Sequence, residues 1–141
     1  MKFNSKIHGE LEYSEENKIQ LIKALPGFDG LKEFILVDLK DYPPFKLLQS
    51  LENDTIAFIL ISPFDFFNKY EFKLSNEVIN NLTIEDSKNV IVLNIINLNS
   101  DSKKVTTNLK APIIINKQNN MGQQIILDIK RYKIKQPLLE E

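Results

Sequence analysis

With 141 residues, 43% of them hydrophobic and 26% charged, the chain has the length and composition of one globular domain. It is too apolar for disorder and too often interrupted by charge for a membrane-spanning helix, and a domain of this size buries roughly 70% of its unfolded surface without needing a disulfide or metal. The absence of cysteine excludes disulfides, thiolate nucleophiles and sulfur-based zinc sites, and a net charge of -1 exerts no global pull toward nucleic acid.

The N-terminus, Met1 to Lys6, runs into Glu10 and Glu12 with no apolar core of a signal peptide, which points to a cytoplasmic protein. The acidic run Glu10, Glu12, Glu15 and Glu16 lacks the alternating Asp/Asn ligands and bidentate Glu of a calcium loop, and reads as a solvated loop. Residues 18–23 form a short strand that buries Ile19 and Leu21. It stops at Pro26-Gly27, where proline presets φ and glycine accepts φ above zero. Residues 34–39 and 45–51 are strands on either side of the breaker Tyr42-Pro43-Pro44. Residues 55–61 and 90–96 are apolar on both faces and rich in β-branched side chains, the pattern of central strands.

Between them, Pro63 to Tyr70 holds Phe64, Phe66, Phe67 and Tyr70. Such a cluster either caps the core or exposes part of itself as a hot spot for an apolar partner. One short helix is expected after it. Ser75 can accept from first-turn amides, Glu77 sits at the positive end of the dipole, Leu74 can staple onto Ile79, and the helix ends near Leu82.

Residues 104–110 alternate polar Lys104, Thr106, Asn108 and Lys110 with Val105, Thr107 and Leu109, a strand with one wet face. Residues 111–116 and 122–130 form a hairpin across the turn-rich Lys117 to Gly122, with Ile125, Leu127 and Ile129 opposite Gln124, Asp128 and Lys130. Residues 133–141 are a tail whose Leu138 and Leu139 dock on the domain, dock on a partner, or fray. The fold expected is all-β, a small antiparallel barrel-like domain or sandwich with one short helix, spanning residues 1–141 as a single domain.

Catalytic material is scarce. His8 is the only histidine and lies in a polar region, so a histidine-anchored metal site or a nucleophile–histidine–acid assembly has nothing to converge on. Gly9, Gly27, Gly30 and Gly122 make no phosphate-cradling pattern. The chain is therefore not expected to be an enzyme, and no cofactor is implied. Residues 1–60 carry seven lysines against ten acids, whereas 101–135 carry eight basic residues against Asp101 and Asp128. The basic half (Lys103, Lys104, Lys110, Lys117, Lys130, Arg131, Lys133, Lys135) leaves open a small RNA-binding barrel, although Tyr132 alone supplies an aromatic platform there.

Several segments together resemble the FliW family of flagellar assembly factors. They are Leu25-Pro26-Gly27-Phe28 with Phe34-Ile35-Leu36; Pro44-Phe45 with Leu48-Gln49-Ser50-Leu51-Glu52; Ala57-Phe58 leading to Pro63 and Tyr70-Glu71; and Thr107 through Asn116 (TNLKAPIIIN) followed by Gly122-Gln123-Gln124. The resemblance implies a barrel-like fold and a cytoplasmic regulator that binds flagellin and, when free, the translational repressor CsrA, relieving repression of flagellin messenger. No direct nucleic acid contact and no membrane are implied, and a monomer is favoured. Pro26, Gly27, Gln49, Ser50, Asn108, Pro112, Asn116 and Gln124 carry the family pattern. Pro26, Gly27 and Pro112 also suit turns and strand ends, while Gln49, Ser50 and Asn108 either satisfy a buried group or face a partner. The protein-binding candidates are thus Gln49, Ser50, Phe64, Phe66, Phe67, Tyr70, Asn108, Asn116 and Gln124. The acidic run adds an expectation: docked on CsrA, it would place negative potential near the RNA path.

Overall fold

The computed structural model describes residues 1–98 and 105–138. Its strands are β1 (Lys2–Ser5), β2 (Gly9–Glu12), β3 (Lys18–Leu21), β4 (Glu33–Asp38), β5 (Lys46–Ser50), β6 (Ala57–Ile61), β7 (Val90–Leu98), β8 (Val105–Thr107), β9 (Ile113–Asn116), β10 (Met121–Gln124) and β11 (Gln136–Pro137). A single α-helix among the described residues, α1 (Asn76–Asn81), sits between β6 and β7. Ser75 caps it by accepting from the Val78 amide at 3.2 Å.

Seven strands close a barrel in the order β3, β4, β5, β6, β7, β9, β10 and back to β3, because β7 bonds to β6 along one edge and to β9 along the other. Six of the seven seams are antiparallel; β10 runs parallel to β3, pairing Gly122 with Leu21. Parity requires this. Directions that alternate around an odd ring must repeat once, and the repeat falls between strands far apart in the chain, so no helical crossover is needed. Gly122 allows the seam to close. A Cβ there would lie 3.2 Å from the Leu21 Cδ2 and 3.3 Å from the Ile114 carbonyl.

The strand period sorts side chains into two layers. Phe34 and Leu36 of β4, Leu48 of β5, Leu60 of β6, Leu93 of β7 and Ile113 and Ile115 of β9 fill the interior with Ile19 and Leu21. Outside, Ile114 packs with Val78 and Leu82 of the helical segment, which is why β7 and β9 need apolar residues on both faces. Each fully buried Leu, Ile or Phe contributes ~2 kcal/mol. The surface ion pairs Lys2–Glu10, Lys18–Glu15 and Lys46–Asp38 contribute at most about 1 kcal/mol each, so packing dominates.

Three segments differ from the sequence expectation. The acidic segment is not simply a loop, since Glu10 and Glu12 lie on β2, paired with β1 in a separate two-stranded hairpin. The reversal is tight: the Ser5 Oγ accepts from the Ile7 and His8 amides, and Gly9 takes φ +74°. Only the Phe3–Leu11 pair supplies apolar alternation, too short a signal to read.

The strand expected over 122–130 ends at Gln124. Beyond it, the Ile125 and Leu127 amides still donate to the carbonyls of Pro112 and Lys110. The ladder cannot be reciprocal, because Pro112 has no N–H and the Lys110 and Ala111 amides donate to the Asn108 Oδ1. The side-chain alternation nevertheless persists, with Leu127 buried and Ile125 and Ile129 packed beside it.

The same Asn108 turn ends β8 at Thr107, short of the expected Lys110; Lys104 lies outside the described residues. In the tail, β11 pairs with β8, and Leu138 is buried against Ile61 and Ile96; Leu139 lies outside the described residues.

Candidate protein-binding surface

One end of the barrel is not closed over. There the turn after β3 contributes Leu25, Pro26 and Phe28, β6 contributes Phe58 and β7 contributes Ile95. Asn108, Lys110 and Ala111 form an opposing wall, and Gln124, Ile126 and Ile134 complete a groove of about 370 Å³. The turn geometry follows from Gly27 at φ +84°, which lets the Phe28 amide donate to the Leu25 carbonyl and swings Phe28 edge-on to Phe58 at 5.0 Å. Ile126 is 78% exposed and Ile134 62%, an unusual outlay of aliphatic surface on one rim. Among the described residues, Lys110 is the only charged side chain lining the groove.

The structure separates the nine candidate residues. Asn108 and Gln124 both line this groove. Asn108 folds its own wall through its two bonds to the Lys110 and Ala111 amides, and the Gln124 Nε2 donates to the Ala111 carbonyl at 3.1 Å. Gln49, Ser50 and Asn116 lie inside the protein. The Gln49 Nε2 donates to the Ser50 and Ile56 carbonyls, and the Ser50 Oγ accepts from the Glu52 and Asn53 amides, so the pair shapes the β5–β6 connection. The Asn116 Nδ2 donates to the Leu82 and Thr83 carbonyls, tying the end of α1 to β9. Of the two roles open to a polar residue in an apolar strand, these three take the internal one.

The aromatic segment divides likewise. Phe66 and Phe67 pack with Ile61, Ile96 and Leu138, while Phe64 is half exposed. Tyr70 is buried, its ring tilted against that of Tyr132 with centroids 4.6 Å apart, and its hydroxyl donates to the Leu109 carbonyl at 2.7 Å. Burial pushes its pKa up to about 12; an Asn94 hydrogen bond opposes the shift and Tyr132 adds to it. Phe64 and Tyr70 border a second, larger groove of about 690 Å³, whose other bank is Ile79, Ile84, Val90 and Val92. Glu71, Lys73 and Glu85 give it charge of both signs, and it shares no lining residue with the first groove.

Glu10, Glu12, Glu15 and Glu16 are all exposed, but Lys2 pairs with Glu10 at 3.5 Å and Lys18 with Glu15 at 3.1 Å. Among the described residues no group of three or more His, Asp or Glu side chains is placed to hold a metal, and no helix is long and apolar enough to cross a membrane. Ile126 and Ile134 were not singled out from sequence as binding residues, and Lys110 was named only within the basic set of a possible RNA-binding barrel and within the family-like segment 107–116. Ile126 carried a signal: it is an aliphatic residue on the face otherwise occupied by Gln124, Asp128 and Lys130.

Comparison with known proteins follows the same full-length pattern. A family model described as "FliW protein" matches residues 2–138. The flagellar assembly factor FliW of Clostridium beijerinckii is 59% identical over 141 residues, covering all of both chains. That of Clostridium tetani is 46% identical, covering all of this chain and 97% of the relative. A crystal structure of the flagellar assembly factor FliW superposes with a TM-score of 0.89 at 34% identity, over 100% of this chain and 99% of the other.

Proposed function

The chain belongs to the FliW family of flagellar assembly factors, and from that premise we propose that it binds flagellin in the cytoplasm and, when free, binds and antagonises CsrA. The observation that carries this reading is the convergence of four separate segments (residues 25–28, 57–58, 107–116 and 122–124) on one open apolar groove. Such a surface is suited to a protein partner.

The switch works by mass action. Flagellin in excess occupies the protein; as flagellin is exported, the freed protein sequesters CsrA, and flagellin messenger is translated again. The test is co-purification with flagellin and, separately, with CsrA, followed by a mobility-shift assay on flagellin leader RNA. CsrA should release the RNA when this protein is added, and this protein alone should not shift it. A direct RNA complex would instead favour a barrel acting through its basic half, and failure to bind either protein would sink the proposal.

A further inference from the structure

We propose that residues 124–128 form an open sheet edge that takes up an extended peptide segment. The segment pairs with the backbone of Ile126 and Asp128, lays alternate aliphatic side chains into the groove and sets one acidic side chain against Lys110. The inference rests on the partner-binding reading above only for which protein supplies the segment.

The edge arises because the chain stays extended beyond β10 after its neighbour has left. The Ile125 and Leu127 amides donate to the Pro112 and Lys110 carbonyls, so the odd-numbered residues face the 108–112 wall and the even-numbered ones turn their N–H and C=O groups the other way. Leu127 is buried while Ile126 and Asp128 are exposed, the alternation of a strand. On the outward side β3 and its continuation are the partner only as far as Ile22, whose amide donates to the Gly122 carbonyl. Beyond it the chain departs through Leu25 and Pro26, and the N–H and C=O groups of Ile126 and Asp128 make no hydrogen bond among the described residues. An unpaired edge of this kind is a template for another extended chain.

The surroundings set the chemistry of the occupant. Leu25 and Pro26 line the groove together with Gln124 and Ile126, so the place that β3 vacates opens onto the apolar side chains of Phe28, Phe58 and Ile95. An extended segment presents every second side chain to that surface, hence the aliphatic alternation. A helix lying there would cover the Ile126 and Asp128 groups without pairing them. A second copy of the chain brings the same edge hemmed by its own Pro26 turn, whereas a single segment enters between turn and edge. Among the described residues Lys110 is the sole charge of the lining and joins no ion pair, so it selects an acidic residue.

The probe is a labelled peptide of about nine residues, ~30 Å when extended, that alternates Val with Thr and carries one Glu on the Val face. Fluorescence anisotropy on the full chain should show it binding, and amide exchange at Ile126 and Asp128 should slow by about tenfold or more. N-methylation of one alternate set of peptide amides should weaken binding at least about tenfold, and methylation of the other set should leave it within about twofold. Asp128→Pro removes one edge N–H without touching a lining residue and should weaken binding about fivefold, while Asp128→Ala, which keeps the N–H, should bind at least as tightly as the native chain. Lys110→Glu should reverse the preference for Glu over Lys in the peptide, and Phe64→Glu, in the other groove, should change nothing.

Equal effects of the two methylated sets overturn the inference, as does a bound peptide that leaves exchange at Ile126 and Asp128 unaltered. A dimer of the free chain that Asp128→Pro dissociates, with no peptide bound, gives the edge to a second copy and overturns it too. The native chain is then offered flagellin and CsrA. Binding of the peptide but of neither protein refutes the proposed function and leaves the edge as assigned. Binding of both proteins but not of the peptide refutes the edge and leaves the function.

Discussion

Replacing Tyr70 by phenylalanine removes one oxygen from a site where its absence can be followed in two ways. The hydroxyl donates at 2.7 Å to the carbonyl of Leu109, itself buried, so the variant strands an acceptor that water cannot reach. An unsatisfied buried carbonyl costs about 1–3 kcal/mol, while the tilted ring contact with Tyr132 and the edge-on contact with Phe72 are retained. Urea unfolding at pH 7 should therefore show a loss in that range with an unchanged m-value.

The second readout is alkaline pH. The folded pKa of Tyr70, about 12, lies above the ordinary value of 10.0, so the fold prefers the protonated phenol. That preference is fully present below pH 10 and is lost as pH rises through 12. Two pKa units set a ceiling of ~3 kcal/mol, and solvent screening at the edge of the ring brings the expected contribution to ~1–2 kcal/mol. Stability of the native chain should fall across pH 10–12, and Tyr70→Phe should lack this share of the fall, so the two curves converge. Equal stability at pH 7, or parallel curves across pH 10–12, would refute the reasoning.

Other substitutions probe the remaining structural devices. Asn116→Ala severs the Nδ2 bonds to Leu82 and Thr83 and should cost about 2–3 kcal/mol, with faster amide exchange concentrated in α1. Gly122→Val drives a branched side chain into Leu21 and Ile115 at the parallel seam and should destabilise by about 1–3 kcal/mol, measured by thermal unfolding. The Glu52 carboxylate accepts from the amides of Glu33 and Lys32, which hold its pKa below the ordinary 4.5. Its contribution is present above that value and fades as pH falls through the lowered one. Carboxyl NMR titration should find Glu52 among the last glutamates to protonate, and Glu52→Gln should flatten the acid limb of the stability curve.

Elements governed by near neighbours were legible from the chain alone. The Ser75 cap needs only the Val78 amide three residues on, and the burial of Ile19 and Leu21 follows from period two within β3. The roles of Gln49, Ser50 and Asn116 were not legible, because a polar residue in an apolar strand has the same sequence signature whether its partner is internal or foreign. For Asn116 the deciding acceptor, the Leu82 carbonyl, lies 34 residues away. The early end of β10 depended on a turn in the facing segment that Asn108 builds by drawing in two amides. Ile126 broke the polar face of its segment in the sequence, but its place on a groove depended on the facing segment closing one side.

By itself the sequence determined the absence of thiol chemistry, the single histidine, the strand periodicities and the capped helix, since composition and short-range spacing carry those facts. Tertiary structure alone decided that seven strands close, that one seam runs parallel, and that Asn108 and Gln124 share a groove while Gln49 and Asn116 do not. Those outcomes rest on contacts such as Gly122 beside Leu21, whose partners meet only when the ring closes, and no local propensity encodes which distant edge a strand will find.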